Sequence, residues 1–445
     1  MMRDASPPAL KRTIGVWSAA LIVIGGIIGS GIYFTPAETA RALPNGAWII
    51  GVWVLGGLIA LAGALTYAEL GAMLPDAGGP YVYIRRAFGP LAGFLHGWMT
   101  LLSIASAALA AVALSFASYV DRFVPIAGIG GPVVVAAVTI VVTTALNIIG
   151  LKPGVIFQNI LTVAKVAGIS ALVIGAVIAW GRVEPALVSG APVAPDRLRG
   201  FGQAFVAVLF TVGGWEQMNM VAGEIRDPSR TIPRALVLGI AVVIVAYVGA
   251  NASYLLALGR DGLAVSGAPA ADTATRIFGD AGGRLMTAAV MVSILGFITV
   301  ALLAQSRVVY AMAKDGLLVP GAAQVHPRFG TPYIAICVMG GWALVLLLAT
   351  RGRMGALLTA NVFPAWIFQG LAAASVLVLR RREPALARPY RVTGYPVVPL
   401  LFVLAAIVGI VSAFASAPGM SLVGVAMLIV GVAVFRWRTG ARAAA

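Results

Sequence analysis

The sequence is poor in charged residues and in cysteine, and each shortage excludes a class of protein. Only 10% of its 445 residues are charged and 60% are hydrophobic, whereas soluble domains carry about 25% charged residues. This composition excludes a soluble enzyme of this size, because the chain has too few charged side chains to cover its surface. The high hydrophobicity excludes a disordered chain. The single cysteine, Cys337, excludes a disulfide framework and a zinc site of the CxxC type.

Long apolar runs take the place of the missing charge. A transmembrane helix needs about 20 mostly apolar residues. About twelve such runs follow one another, without the alternating polarity that is typical of a transmembrane β-barrel. Their cores are residues 14–36, 47–73, 91–118, 132–150, 155–180, 201–223, 235–258, 282–311, 332–349, 355–379, 396–415 and 419–436. The connections are short, so residues 1–445 are predicted to form a single all-α transmembrane domain.

The distribution of lysine and arginine predicts the orientation in the membrane. With the N-terminus in the cytoplasm, 20 of the 31 Lys and Arg residues fall in inside segments and 10 in outside segments, while Lys165 lies within the fifth run. Positive charge collects on the cytoplasmic side of membrane proteins. The net charge of +16 therefore indicates a multi-pass protein of the cytoplasmic membrane with both termini inside, and no nucleic acid partner is expected.

Two of the predicted helices are interrupted by glycine near their middle. Helix one contains GGIIGSGIY at residues 25–33 and helix six contains FTVGGWE at residues 210–216. A glycine inside a helix costs about 1 kcal/mol relative to alanine, and unwound backbone at membrane depth is tolerated only where it lines a cavity or is buried in protein. Close packing of small residues is the alternative explanation. We favour unwinding, because the interruptions are five helices apart, at matching places in two halves of the chain, as in inverted-repeat transporters.

An unwound helix predicts a ligand with two opposite charges. The break leaves carbonyl groups without donors at the end of its first half and N–H groups without acceptors at the start of its second half. The carbonyl end attracts a cation and the N–H end attracts an anion. An α-amino acid carries both charges about one bond apart, whereas a neutral sugar would gain little from this arrangement.

The motifs at and around the breaks resemble the amino acid–polyamine–organocation superfamily, and most of all the bacterial relatives of the L-type amino acid transporters. They are GSGIY at 29–33, YAELG at 67–71, PDAGGPYVY at 75–83, GGW at 213–215, EIRDP at 224–228, TIP at 231–233, SRVVYAMAKDGLL from 306 and HPRFGTP up to 332.

The resemblance implies a LeuT-like fold of about twelve transmembrane helices with broken helices one and six. Residues 1–181 would form the first repeat of five helices, 200–380 the inverted second repeat, and 395–437 helices eleven and twelve. It also implies a secondary transporter of L-amino acids that works by alternating access, with no enzymatic activity and no cofactor.

The resemblance also assigns a substrate site, residue by residue. The amides of Ser30 and Gly31, with the Ser30 hydroxyl, would bind the substrate carboxylate, and the carbonyls of Ile27, Phe210 and Gly213 would bind its ammonium. Phe210 would close over the substrate from outside. The expected site residues are Ile27, Gly29, Ser30, Gly31, Phe210, Gly213, Gly214, Glu216, Phe363 and Trp366, the last two near the side-chain pocket.

Three ionisable residues lie well inside the predicted spans, namely Glu69, Lys165 and Glu216, and such residues are functional candidates by default. Lys165 resembles the fifth-helix lysine of L-type relatives, whose ammonium takes the place of a sodium ion beside the first broken helix. Glu216 stands where L-type transporters usually have Asn, and it resembles the proton-sensitive glutamate of arginine–agmatine exchangers. We therefore expect Lys165 and Glu216 to couple transport to protons without sodium, and Glu69 to be structural or part of an inner gate.

Several functions compete at this stage. The leading hypothesis is a transporter of small or neutral L-amino acids, either proton-coupled or exchanging. The nearest rival is a cationic amino acid or polyamine exchanger in which Glu216 pairs with the cation. A channel or a non-transporting subunit belongs to another class, and a membrane enzyme would need a nucleophile–base or metal motif, which the sequence lacks.

The expected partners are an amino acid substrate, the lipid bilayer and protons. The loop of residues 119–131 has no cysteine, so no disulfide-linked heavy subunit is expected. His96 and His326 do not cluster with acids or with Cys337 along the chain, so no metal site is expected either.

Overall fold

A computed structural model of the chain describes residue 10 and residues 12–121, 123–149, 151–181, 197–416 and 418–443. In this part of the chain the regular structure is helical, apart from one isolated parallel bridge between Ile14 and Ile225. The all-α class predicted from the sequence is confirmed.

Sixteen α-helices lie in the described part of the chain. In chain order they are α1 (Val16–Ile27), α2 (Thr35–Ala42), α3 (Gly46–Met73), α4 (Pro80–Phe88), α5 (Pro90–Met99), α6 (Ala105–Val120), α7 (Gly131–Ile149), α8 (Leu151–Ile178), α9 (Arg197–Thr211), α10 (Gln217–Met220), α11 (Pro228–Val265), α12 (Pro269–Lys314), α13 (Tyr333–Ala349), α14 (Met354–Arg382), α15 (Val397–Ser416) and α16 (Pro418–Ala443). A π-helical turn, Thr100–Ile104, joins α5 to α6 without interrupting the rod.

Within the described residues, nine helical rods are long and apolar enough to cross a membrane, and three shorter apolar helices accompany them. The shorter ones are Val16–Ile27, Gly200–Thr211 and Tyr333–Ala349. Two of these three end at the predicted interruptions, which explains their length. A multi-pass membrane protein is therefore confirmed, while the count of twelve spans and the inverted repeat stay predictions.

Two helices are longer than a bilayer requires because each contains a sharp bend at a glycine. The 38-residue α11 bends at Gly259, where φ is +67°, and the 46-residue α12 bends at Gly279, where φ is +73°. Only glycine adopts such values without strain. The bends lie next to the ends of the predicted spans 235–258 and 282–311, so each long helix consists of a membrane span and a shorter flanking piece.

The two interruptions are real breaks in the helices, and they face each other in the middle of the molecule. The first break comprises residues 28–34, between α1 and α2, and the second break comprises residues 212–216, between α9 and α10. Gly25 and Gly26 remain helical, so the first break begins three residues later than its first glycine. Helix α1 packs against α8, α10, α11 and α12, which places both breaks inside the bundle.

Candidate binding site between the two helix breaks

A cavity of about 380 Å³ lies between the two breaks. Nine of the ten residues that the sequence predicted for the site line this cavity. They are Ile27, Gly29, Ser30, Gly31, Phe210, Gly213, Gly214, Glu216 and Trp366. The cavity extends past Phe34 and Tyr119 to Gly267, toward the side that the charge distribution predicts to be outside.

Three carbonyls at the carbonyl end of the first break, those of Gly25, Ile27 and Ile28, accept hydrogen bonds from side chains of the protein itself. The Lys165 ammonium, which is 1% exposed, donates to the carbonyl oxygens of Gly25 at 3.0 Å and Ile28 at 2.6 Å. The Tyr247 hydroxyl donates to the Ile27 carbonyl at 2.9 Å. Helices α8 and α11 therefore supply donors to three of the carbonyls that the end of α1 leaves without helical partners.

The amide end of the first break has the opposite character. The backbone N–H groups of Ser30 and Gly31 have no hydrogen-bond acceptor among the residues that the structure describes. The two residues line the cavity, and Ser30 is partly exposed to it. Because unpaired N–H groups at the start of a helical segment attract negative charge, this end of the break can bind an anion.

In the second break the two ends exchange these roles. The Glu216 carboxylate, buried to 9% exposure, accepts a hydrogen bond from the Gly214 N–H at 3.0 Å. The Phe210 carbonyl accepts only a long bond of 3.4 Å from the Gly213 N–H, and no donor in the described part of the chain reaches the Gly213 carbonyl. Here the amide end is occupied and the carbonyl end can bind a cation.

Glycine is required where the breaks meet, because their backbones touch. A Cβ atom at Gly214, where φ is +101°, would lie 2.2 Å from the Gly26 carbonyl oxygen. A Cβ atom at Gly26 would lie 2.7 Å from the Gly214 carbonyl oxygen, and one at Gly31 would lie 2.7 Å from the Thr211 side chain. The opposite ends of the two breaks therefore line one cavity.

Two sequence-predicted assignments differ from the structure. The Ile27 carbonyl already accepts bonds from Tyr247 and from the Gly29 N–H at 2.8 Å, and a carbonyl oxygen has two lone pairs. It therefore has no lone pair left for a ligand ammonium in this structure. Phe363 does not line the cavity, because its ring packs against Phe414, with centroids 6.0 Å apart.

The structure brings further residues to the cavity that sequence reasoning missed. Gln305 of α12 and Gln369 of α14 line the main cavity and also a smaller one of about 30 Å³, which His96 and Glu216 line as well. His96 and Glu216 thus border one small space, although the described residues contain no group of three or more His, Cys, Asp or Glu side chains that could hold a metal ion. An uncharged polar residue within an apolar span was the available signal, since such residues in membranes face the protein interior.

The side of the molecule that is predicted to be cytoplasmic is closed below the cavity. Arg307 of α12 donates to both carboxylate oxygens of Glu224, at 2.6 and 3.1 Å, and both side chains are almost completely buried. The N–H groups of Thr13 and Ile14 donate to the Glu224 carbonyl at 2.9 and 3.0 Å. The segment before α1 is thereby fixed to the segment after α10.

Glu69, the third intramembrane charge, lies in a separate cluster. Its carboxylate accepts two bonds from Arg380 of α14, at 2.8 and 2.6 Å, and one from the Val392 N–H at 2.7 Å. It does not line the cavity. These bonds connect α3 to the end of α14 and to the chain that follows it, which agrees with a structural role or a role in closing the inner side.

Sequence comparisons relate the chain to known proteins. The family model "Amino acid permease" matches residues 14–435. The serine/threonine exchanger SteT of Bacillus subtilis is 31% identical over 396 residues, covering 88% of this chain and 89% of the relative. The human large neutral amino acids transporter small subunit 2 is 30% identical, covering 97% and 83%. The human cystine/glutamate transporter is 29% identical, covering 96% and 85%.

Proposed function

Because the chain belongs to the amino acid permease family, we propose that it is a sodium-independent secondary transporter of small neutral L-amino acids in the cytoplasmic membrane. It would work by alternating access, driven by protons or by exchange against a second amino acid. The three relatives named above transport amino acids with quite different side chains. All amino acids have an α-carboxylate and an α-ammonium group. The binding sites for these two groups are therefore the part of the site that we expect this chain to share with its relatives.

The observation that carries the proposal is the pairing of opposite ends at the two breaks. Among the residues that the structure describes, the Ser30 and Gly31 amides of the first break have no acceptor, and the Phe210 and Gly213 carbonyls of the second break can still accept hydrogen bonds, all on one cavity. An α-carboxylate would bind the amides and the α-ammonium would bind the carbonyls. A ligand with only one of the two charges would leave one end without its partner.

The remaining lining supports a neutral side chain. Most of the other residues around the cavity are apolar, including Ile104, Val112, Leu209 and Phe297. Glu216 is the acid at the site, and one of its carboxylate oxygens is already bonded to Gly214. This arrangement favours the neutral substrate over the cationic amino acid or polyamine that remains the rival hypothesis.

Lys165 supports independence from sodium. Its ammonium binds the carbonyls of Gly25 and Ile28 at 3.0 and 2.6 Å. Backbone carbonyls at a broken helix are the ligands that sodium uses in related folds. A fixed positive charge on them both satisfies these oxygens and repels a second cation, so transport would not need the ion.

Uptake into proteoliposomes tests the proposal. A panel of radiolabelled L-amino acids would be offered in sodium and in choline buffer, with and without a pH gradient, and with or without amino acid inside. We expect saturable uptake of small neutral amino acids that is equal in both buffers. Competition by the methyl ester or the N-acetyl derivative should be weak, because each lacks one charge.

Three results would contradict parts of the proposal. A strong sodium requirement would overturn the role of Lys165. Competition by the methyl ester at full strength would overturn the carboxylate site at Ser30 and Gly31. Preferred uptake of arginine or of a polyamine over every neutral amino acid would favour the rival, with Glu216 as the partner of the cation.

A further inference from the structure

We propose that a polar pocket formed by His96, Thr100, Gln305 and Gln369 beside Glu216 receives the substrate side chain and selects an uncharged side chain that ends in a hydroxyl or carboxamide group. This inference rests on the proposed function and specifies the substrate class more closely.

The polar pocket is a side branch of the main cavity. Its volume is about 30 Å³, and it shares Ile104, Glu216, Gln305, Ala365 and Gln369 with the larger space. Glu216 is three residues from Gly213, whose carbonyl is proposed to bind the ammonium. A side chain attached to the same α-carbon can therefore enter the pocket from the site between the breaks.

Two residues that line the pocket carry buried polar atoms without partners in the described part of the chain. The Nδ1 atom of His96 and the Oε1 atom of Gln305 are buried and have no hydrogen-bond partner in the described part of the chain. The two residues are 5% and 8% exposed. An unsatisfied buried polar group costs about 1–3 kcal/mol, so these atoms require a partner that the protein itself does not supply.

Size and hydrogen-bonding capacity define that partner. A cavity measured in the same way needs about 10–15 Å³ to hold one water molecule. The pocket, at about 30 Å³, therefore accommodates a group of one or two polar atoms. A hydroxyl group both donates and accepts a hydrogen bond, and a carboxamide has the same two abilities. A guanidinium, with its three nitrogen atoms and five N–H donors, is larger than this space.

The walls of the pocket exclude a larger group. The His96 ring meets Phe368 edge to face, with centroids 5.3 Å apart, and Tyr67, Pro80 and Met220 also line the pocket. The Tyr67 hydroxyl donates to the Gln369 carbonyl at 3.2 Å, and the side chains of Phe368, Pro80 and Met220 are apolar. An apolar side chain of equal shape would enter the pocket but would leave the His96 and Gln305 atoms unpaired.

Pairs of amino acids with equal shape and different polarity test the inference directly. Threonine and valine are one pair, and asparagine and leucine are the second. Each would compete with radiolabelled alanine for uptake into proteoliposomes that contain the full-length protein. We expect threonine and asparagine to inhibit at concentrations about tenfold lower, or lower still, than their apolar partners, since one lost hydrogen bond in a buried site has about that effect.

Two variants assign the preference to the pocket. Gln305→Leu and His96→Phe each remove one unpartnered atom at nearly constant volume. They should reduce the ratio of the inhibitory concentrations of valine and threonine to below about threefold, measured against each variant's own uptake of alanine. Gln203→Leu, on the exposed side of α9, is the matched control and should keep the full ratio.

The outcomes separate the inference from the proposed function. Equal inhibition by threonine and valine in the unchanged protein would overturn the inference alone, because water would then satisfy the polar atoms. If both variants kept the full preference for threonine over valine, the inference would be overturned as well, since that preference would originate outside the pocket. Absence of saturable uptake for every labelled amino acid would overturn the proposed function and the inference together.

Discussion

The two helix breaks have similar sequences and lie against each other, yet they are stabilised in different ways. The first break is stabilised by neighbouring helices, because Lys165 of α8 and Tyr247 of α11 donate hydrogen bonds to its carbonyls. The second break is held by its own Glu216, which binds the N–H of Gly214 two residues earlier. One break depends on its neighbours in the bundle and the other is satisfied locally.

This difference explains how one cavity can bind both charges of a zwitterion. Each break has an amide end and a carbonyl end, and two identical breaks would compete for the same ligand charge. Here the protein occupies the carbonyl end of the first break and the amide end of the second. The two ends that remain are opposite in sign and line the same space.

Gly214→Ala should have the largest effect, because it separates the two breaks. Its Cβ atom would lie 2.2 Å from the Gly26 oxygen, at a φ of +101°. Strained φ and overpacking each cost about 1–3 kcal/mol, so thermal stability in detergent should fall markedly and transport should be lost. Gly213→Ala is the matched control, since its Cβ would meet nothing closer than 3.4 Å. Equal melting temperatures for the two variants would contradict the contact.

Lys165→Met should have the next largest effect, because it removes the external support of the first break at similar side-chain volume. Two buried carbonyls lose their donor, at about 1–3 kcal/mol each, so counterflow in proteoliposomes should fall by about 100-fold or more. The control is Lys314→Met at the exposed end of α12, which should transport normally. Near-normal counterflow in Lys165→Met would show that the carbonyls find another partner.

Glu216→Gln should leave the second break intact and alter its response to pH. The amide oxygen of Gln still accepts the Gly214 N–H, whereas the side chain no longer exchanges a proton. Binding and exchange should persist while the pH profile of uptake becomes flat. Glu216→Leu lacks the acceptor and should reduce binding as well. If Glu216→Gln kept the complete pH dependence, Glu216 would be structural and Lys165 would remain the candidate for proton coupling.

Tyr247→Phe should have the smallest effect, because one donor to the first break is lost while others remain. The Ile27 carbonyl keeps the Gly29 N–H, and the ring keeps its contact with Trp53. We expect a loss of about 1 kcal/mol, seen as an increase of up to about fivefold in the substrate concentration for half-maximal uptake. Tyr254→Phe is the control, since its hydroxyl makes only a 3.4 Å bond to Ile32. If the two variants reached half-maximal uptake at the same substrate concentration, Tyr247 would have no specific role.

The positions of the helices and of the breaks could be predicted from the sequence because both are local properties. A run of about 20 apolar residues specifies a span, and clustered glycines specify where it unwinds. The bonds of Lys165 to Gly25 and Ile28 agree with its predicted place beside the first break.

The faces that helices present to each other could not be predicted in the same way. A membrane helix is apolar toward lipid and toward protein alike, so its periodicity does not tell one face from the other. Phe363 and Trp366 lie on the same helix, but only Trp366 lines the cavity. The bond from Tyr247 to the Ile27 carbonyl joins residues 220 positions apart, and no local pattern specifies such a pair.

The buried pair of Arg307 and Glu224 has a consequence for how the molecule divides its time between states. Opening the predicted inner side would separate these two charges and break the two hydrogen bonds between them, at a net cost of about 1.5–3 kcal/mol each. If the state open to the inner side lies about 3 kcal/mol above the closed state in free energy, fewer than about one molecule in a hundred is open to that side. Apparent affinity is reduced by the fraction of competent molecules, so the same amino acid would bind far more weakly from the cytoplasm than from outside, even at identical contacts.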